Sequence, residues 1–126
     1  MESKLERHGV LEELALSLAV EAGDFVYCSF CVGNVGQGVE AQVNGALDEL
    51  TRRLDELGLG LRDVVQVDAL FRDIWDIPVM EQVFRERFQG AYPARKSIQT
   101  EFAHIGGAEG LQFQLDAVAY RPQQRA

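Results

Sequence analysis

The sequence predicts an α+β domain, with both helices on one face of a mixed sheet. Three observations carry this: two long helical stripes, five strand-like segments, and too few helices to clothe both faces of a doubly wound sheet. The chain has 126 residues, the usual size of one domain around one core. No internal repeat, low-complexity tract or linker divides it, so residues 1–126 read as a single domain with the order ββαβαββ.

The first strand is the least determined element. Leu14, Leu16, Leu18 and Val20 alternate with Ala15, Ser17 and Ala19, as a strand with one apolar face requires. Leu11, Leu14, Ala15 and Leu18 fit a helical stripe behind Glu12 and Glu13 equally well. Ala22-Gly23-Asp24 reads as a turn, and the apolar run 25–32 as the returning strand of a hairpin. After the loop Gly33-Asn34-Val35-Gly36-Gln37-Gly38 comes the clearest element, a long helix with an apolar face of Val39, Val43, Ala46, Leu47, Leu50, Leu54 and Leu57. Gly58 stands where a left-handed C-terminal cap is wanted. Asp48 with Arg52, and Glu49 with Arg53, read as i,i+4 pairs on a solvated face.

Val65, Val67, Ala69 and Phe71 alternate with Gln66, Asp68, Leu70 and Arg72 to give a third strand. Asp76 is placed to cap the second helix, with Pro78 tolerated in its first turn. Ile77, Met80, Val83, Phe84 and Phe88 supply that helix's core face. Residues 95–102 and 111–120 complete the sheet, joined by a loop holding Gly106, Gly107 and Gly110. In the last strand Gln112, Gln114 and Asp116 alternate with Leu111, Phe113 and Leu115, so its two faces differ. One face of the sheet is left without helices, to be solvated or covered by another subunit.

Composition excludes some partners. Twelve basic against twenty acidic residues give a formal net charge of −8, a field that repels the phosphate backbone of nucleic acids. No stretch reaches the ~18 apolar residues of a membrane span, and the acidic start lacks signal-peptide features, so a cytoplasmic location is expected. Cys28 and Cys31 have C-x-x-C spacing, yet they lie in a strand-like run, where residues three apart face opposite sides, and not at a helix N-terminus that would activate a thiol. His8 and His104 show no paired spacing that would complete a zinc site. Structural buried thiols and no metal are the expectation. The G-x-x-G-x-G spacing of the 33–38 loop matches neither a dinucleotide fingerprint nor a lysine-bearing phosphate loop, and it reads as a flexible connection.

Tyr92-Pro93-Ala94-Arg95 is the most informative stretch. A proline-positioned arginine opens a strand with no acidic neighbour in sequence, and its rigid fork of donors matches a carboxylate bidentately. Arg95 is therefore either half of a surface ion pair or a fixed seat for a small anion.

Together with that stretch, Ala22-Gly23-Asp24-Phe25-Val26 with Ser29, residues 42–50, the run from Asp63-Val64-Val65 to Phe71-Arg72-Asp73, residues 80–88 and Leu115-Asp116-Ala117-Val118-Ala119 resemble the reactive intermediate deaminase, or YjgF-type, family over residues 14–121. The resemblance implies a chorismate-mutase-like fold assembled as a homotrimer, with sheets meeting in a central barrel and ligand clefts between subunits. It also implies cofactor-independent hydrolysis of a small carboxylate-bearing imine or enamine to a keto acid and ammonia. Arg95 would hold the substrate carboxylate, and Asp116 with the backbone near Ser97 would hold the water. Ser29, Phe30, Leu16 and Glu81 would border the substrate.

This chain departs from the family pattern around that site. Asp116 replaces a usual glutamate, shorter by one C–C bond of ~1.5 Å. Phe30-Cys31 stands for glycine and glutamine, Leu16 for an aromatic residue, Ser97 for cysteine, and Glu81 for asparagine. A carboxylate at Glu81 would neutralise Arg95 or repel an anionic substrate. Two alternatives follow: a non-catalytic or regulatory metabolite binder, and a divergent biosynthetic enzyme for a larger substrate. The nuclease activity associated with the broader family is disfavoured by the charge.

Overall fold

The computed structural model describes residues 4–102 and 109–122; His104, Gly106 and Gly107 lie outside the described residues. Its elements are β1 Leu5–Leu11, β2 Leu16–Ala22, β3 Phe25–Cys31, α1 Val39–Glu56, β4 Val64–Phe71, α2 Ile77–Phe88, β5 Ala94–Gln99 and β6 Phe113–Tyr120. The strands form one sheet in the order β1-β2-β3-β6-β4-β5. β4 and β5 are parallel, with α2 in the crossover, and the other pairs are antiparallel.

The α+β reading holds, but among the described residues six strands replace the five predicted and the order is βββαβαββ. β1 escaped the sequence reading because it is an edge strand of mostly exposed residues, which has no core face to imprint an apolar alternation. The ambiguity over residues 14–20 resolves as a strand from Leu16 onward. Residues Glu12–Leu14 form one 3-10 turn, and Ala15 at φ 56° redirects the chain into β2.

α1 follows its predicted stripe. Val43, Ala46, Leu47, Leu50 and Leu54 are fully buried against Phe71, Phe113, Leu115 and the α2 residues Met80 and Val83. At its end Gly58 takes φ +77°, and the Leu59 N–H reaches back to the Leu54 carbonyl at 2.8 Å, closing the helix with a left-handed glycine. Asp76 occupies the N-cap of α2 but its side chain caps nothing. Asp73 caps instead, its carboxylate accepting the Trp75 N–H of the preceding 3-10 turn. Burial, and then the charge of Asp73, push the Asp76 carboxyl above its ordinary range.

Three further expectations are corrected. The 33–38 loop is pinned: Gln42, fully buried, donates to the carbonyls of Gln37 and Gly110 and accepts the Gln112 N–H, all at 2.8 Å. The face of α1 that carries Glu49 and Arg53 is not all solvated, since Arg53 is buried and only its Glu49 pair forms as predicted. Asp48 pairs with Arg87 of α2, and Arg52 with Glu49 and Glu56. Finally, Cys28 and Cys31 do not face opposite sides. The β3–β6 register slips between them, a bulge that inserts an extra residue, and both thiols enter the core. Burial pushes both up, Cys31 to about 12, so they are neutral and inert.

Where α1 passes the start of the loop, Gly45 and Gly33 touch backbone to backbone. A Cβ on Gly45 would lie 2.6 Å from the Gly33 carbonyl carbon. Gly45→Ala is therefore expected to destabilise the fold by about 1–3 kcal/mol through overpacking, although alanine favours a helix by ~1 kcal/mol. Chemical denaturation checks this; a mutant as stable as the parent would show that the loop yields freely.

Candidate functional site

β5 and α2 position the predicted anion seat. Pro93 and Ala94 lead the chain into β5, where Arg95 stands in register with Val67, a buried residue of the helix-covered face. Its guanidinium therefore meets α2 at the open edge of the sheet. Glu81, Phe84, Arg85, Tyr92, Pro93 and Arg95 enclose a cleft of ≈190 Å³. Glu81 already accepts one Arg95 N–H at 3.1 Å, and both side chains remain about one-third exposed, at 31% and 36%. Ser97 is two residues on, in register with buried Ala69 on the same face. Its Oγ is buried and has no partner among the described residues.

An ion pair this exposed is weak, ~0.2–1 kcal/mol, so it can exchange for a ligand carboxylate. Glu81→Gln is expected to tighten the binding of a small monocarboxylate such as pyruvate by about 2–5-fold, measured by calorimetry. Unchanged affinity would mean that Glu81 does not compete for the Arg95 fork.

The second predicted group lies on the other face. Asp116 of β6 is in register with Asp68 of β4, which is in register with Lys96 of β5, so these three share the side of the sheet that the helices leave uncovered. One Asp116 oxygen accepts the backbone N–H of Phe30 at 2.9 Å and a longer contact from Gln114 at 3.4 Å. A cleft of ≈260 Å³ opens beside it, lined in part by Ser17, Tyr27, Ser29, Gln66 and Asp68. The Ser29 hydroxyl donates to the Ser17 carbonyl.

Asp116, Phe30 and Ser29 thus come together, as do Arg95 and Glu81. The two groups face away from one another within one chain, and Leu16, at the start of β2 opposite Leu11, lines neither cleft. Asp68 escaped the sequence reading as a site residue. The alternation of β4 places it on the polar side of the strand, but its juxtaposition with Asp116 depends on β4 pairing with β6. One of its oxygens is buried without a partner among the described residues, and like charges directly opposed across strands are unfavourable.

Among the described residues, the cleft thus has an arginine at the start of β5, after Pro93, on a six-stranded sheet with two helices. The model of the family described as Endoribonuclease L-PSP matches residues 11–119. The chain belongs to this family. A RutC family protein of Pyrococcus abyssi is 24% identical over 112 residues, 83% of this chain and 85% of the relative. A 2-iminobutanoate/2-iminopropanoate deaminase of Dermatophagoides farinae is 28% identical over 92 residues, 65% of this chain and 70% of the relative. Among solved structures, a hypothetical protein of the yjgF family from Streptococcus pyogenes M1 GAS superposes with a TM-score of 0.89 at 58% identity, covering 98% of this chain and all (100%) of the other. RidA from an Antarctic Psychrobacter gives 0.74 at 26% identity over 83% and 87% of the two chains. The fold of this L-PSP family member is the YjgF type. No helix among the described residues is long and apolar enough to cross a membrane.

Proposed function

We propose that this L-PSP family protein hydrolyses a small carboxylate-bearing imine or enamine: water adds to the C=N carbon, the C–N bond breaks, and a keto acid and ammonia leave. An imine is already electrophilic, so it needs positioning, a proton donor and a located water more than a strong nucleophile. Arg95 supplies the carboxylate anchor. Asp116, oriented by the Phe30 N–H, holds the water with the backbone near Ser97 and passes its proton to the departing nitrogen. No organic cofactor or metal enters these steps, and the protein works in the cytoplasm. The observation that carries the reading is the pairing of an exchangeable arginine seat with a carboxylate locked on one oxygen. A deaminase among the relatives supports it.

Because these two groups occupy opposite faces of the sheet, the complete site belongs to an assembly of copies. We infer a homotrimer in which the uncovered faces meet and Arg95 of one copy approaches Asp116 of the next. The exposed Tyr27 and Ile98, with Asp68 and Lys96, would lie at or near that contact. Cleavage of RNA is disfavoured by the net charge of −8.

The test generates 2-iminopropionate from alanine with an amino-acid oxidase in the presence of semicarbazide. The protein is expected to divert imine from the trap to pyruvate. If the wild type binds pyruvate through Arg95 but never outcompetes the trap, the chain is a metabolite binder and the hydrolase reading fails.

A further inference from the structure

Arg53 lies in the middle of the fold, and the proposed reaction gives it no role. Its side chain is only 8% exposed. Its fork is nonetheless filled: Nε donates to Glu49 at 2.7 Å, one terminal nitrogen to the carbonyls of Leu18 and Ser29 at 3.0 and 2.6 Å, and the other to the Phe30 carbonyl at 3.0 Å. Arg52, with Arg53, holds Glu49 below the ordinary carboxylate range, so the cation keeps an ionised partner.

Three of these acceptors are backbone carbonyls of β2 and β3, and two belong to the residues at the β3 bulge. The bulge contains a conformation its sequence does not favour. Phe30 stands at φ 58°, in the left-handed region that bulky side chains rarely enter and glycine enters freely. Partly buried carbonyls turned out of the ladder still need donors, and Arg53 supplies them. The bulge in turn aims the Phe30 N–H at Asp116.

We propose that Arg53 is a positioning residue for Asp116, holding Phe30 in its left-handed conformation so that the Phe30 N–H fixes one carboxylate oxygen and leaves the other for the water. The catalytic consequence rests on the imine-hydrolysis reading; the clamp itself does not. An arginine that merely stapled α1 to the sheet would act through all its contacts alike. One that acts through residue 30 becomes dispensable when that residue adopts φ 58° without strain.

The experiment compares wild type, Arg53→Met, Arg53→Lys and the double variant Arg53→Met/Phe30→Gly by amide hydrogen exchange at residue 30 and by imine turnover. In Arg53→Met the residue-30 amide is expected to exchange at least about tenfold faster. Should that variant not fold, Arg53→Lys, which keeps the charge but loses the planar fork, is expected to show the same loss. The double variant is expected to return to within about threefold of wild-type protection. In Arg53→Met, kcat is expected to fall about tenfold or more with KM within about twofold, because the Arg95 seat is untouched. Wild-type protection in both single variants, or no recovery in the double variant, would overturn the clamp. Exchange results as expected with no imine turnover in the wild type would instead sink the hydrolase reading and leave the clamp standing.

Discussion

Asp116→Asn is expected to lower kcat for imine hydrolysis by about 10²–10⁴-fold, the usual contribution of a positioned acid–base group, while KM stays nearly constant. Asparagine is isosteric with aspartate, and its side-chain oxygen can still accept the Phe30 N–H that now binds Asp116 at 2.9 Å. The bulge should therefore persist. What disappears is the negative charge and the basic oxygen beside the ≈260 Å³ cleft. Arg95→Ala should give the opposite split. Losing a charge-assisted hydrogen bond to a carboxylate costs about 1.5–3 kcal/mol, or roughly 10–150-fold in KM at nearly constant kcat once substrate saturates. Steady-state kinetics of both variants decide the matter. If Asp116→Asn keeps kcat within about threefold of the parent, the water is handled elsewhere, and Asp68, in register with it across the ladder, becomes the carboxylate to replace next.

The sequence specifies these elements unequally, for physical reasons that differ from one to the next. α1 was legible because seven apolar residues repeat on one face, and a helix imposes its period locally. The β6 alternation was legible for the same reason, since Phe113, Leu115, Ala117 and Ala119 all enter the core. β1 was not, because an edge strand with no buried face carries no such pattern. The burial of Cys28 and Cys31 as structural thiols was legible, but their facing was not, because that step assumed a regular strand; one bulge residue shifts the phase of everything after it, and nothing in Cys28-Ser29-Phe30-Cys31 announces a left-handed phenylalanine. The Glu49–Arg53 pairing was visible in its spacing, but its burial was not, because charge spacing on a helix carries no information about what covers that face. For the site, Arg95 was flagged by its proline-set position. The Asp116–Asp68–Lys96 row joins three strands that are distant in the chain, and only the sheet order reveals it.

That same sheet order leads to the second large effect. Arg95 shares its face with Val67 and Ala117, and Asp116 with Asp68 and Lys96, so the backbone of the sheet separates the two groups and no side-chain rotation within one chain unites them. Arg95→Ala and Asp116→Asn, each nearly inactive alone at low substrate, are therefore expected to regain activity when they are mixed and reassembled. On the proposed assembly, each cleft would take its arginine from one copy and its aspartate from the neighbour. In a randomly reassembled one-to-one mixture of a cyclic oligomer, about one-quarter of the clefts meet both conditions. The mixture should thus recover about one-quarter of wild-type kcat/KM, far above either variant. If both groups acted from the same chain, every cleft would lack one of them and the mixture would stay at the level of its components. A monomeric mass by light scattering, with full wild-type activity, would contradict the shared site by a separate route. Complementation is the more discriminating of the two, because a trimer could form without sharing its clefts, whereas rescue between two inactive chains requires that one supply the anchor and the other the carboxylate.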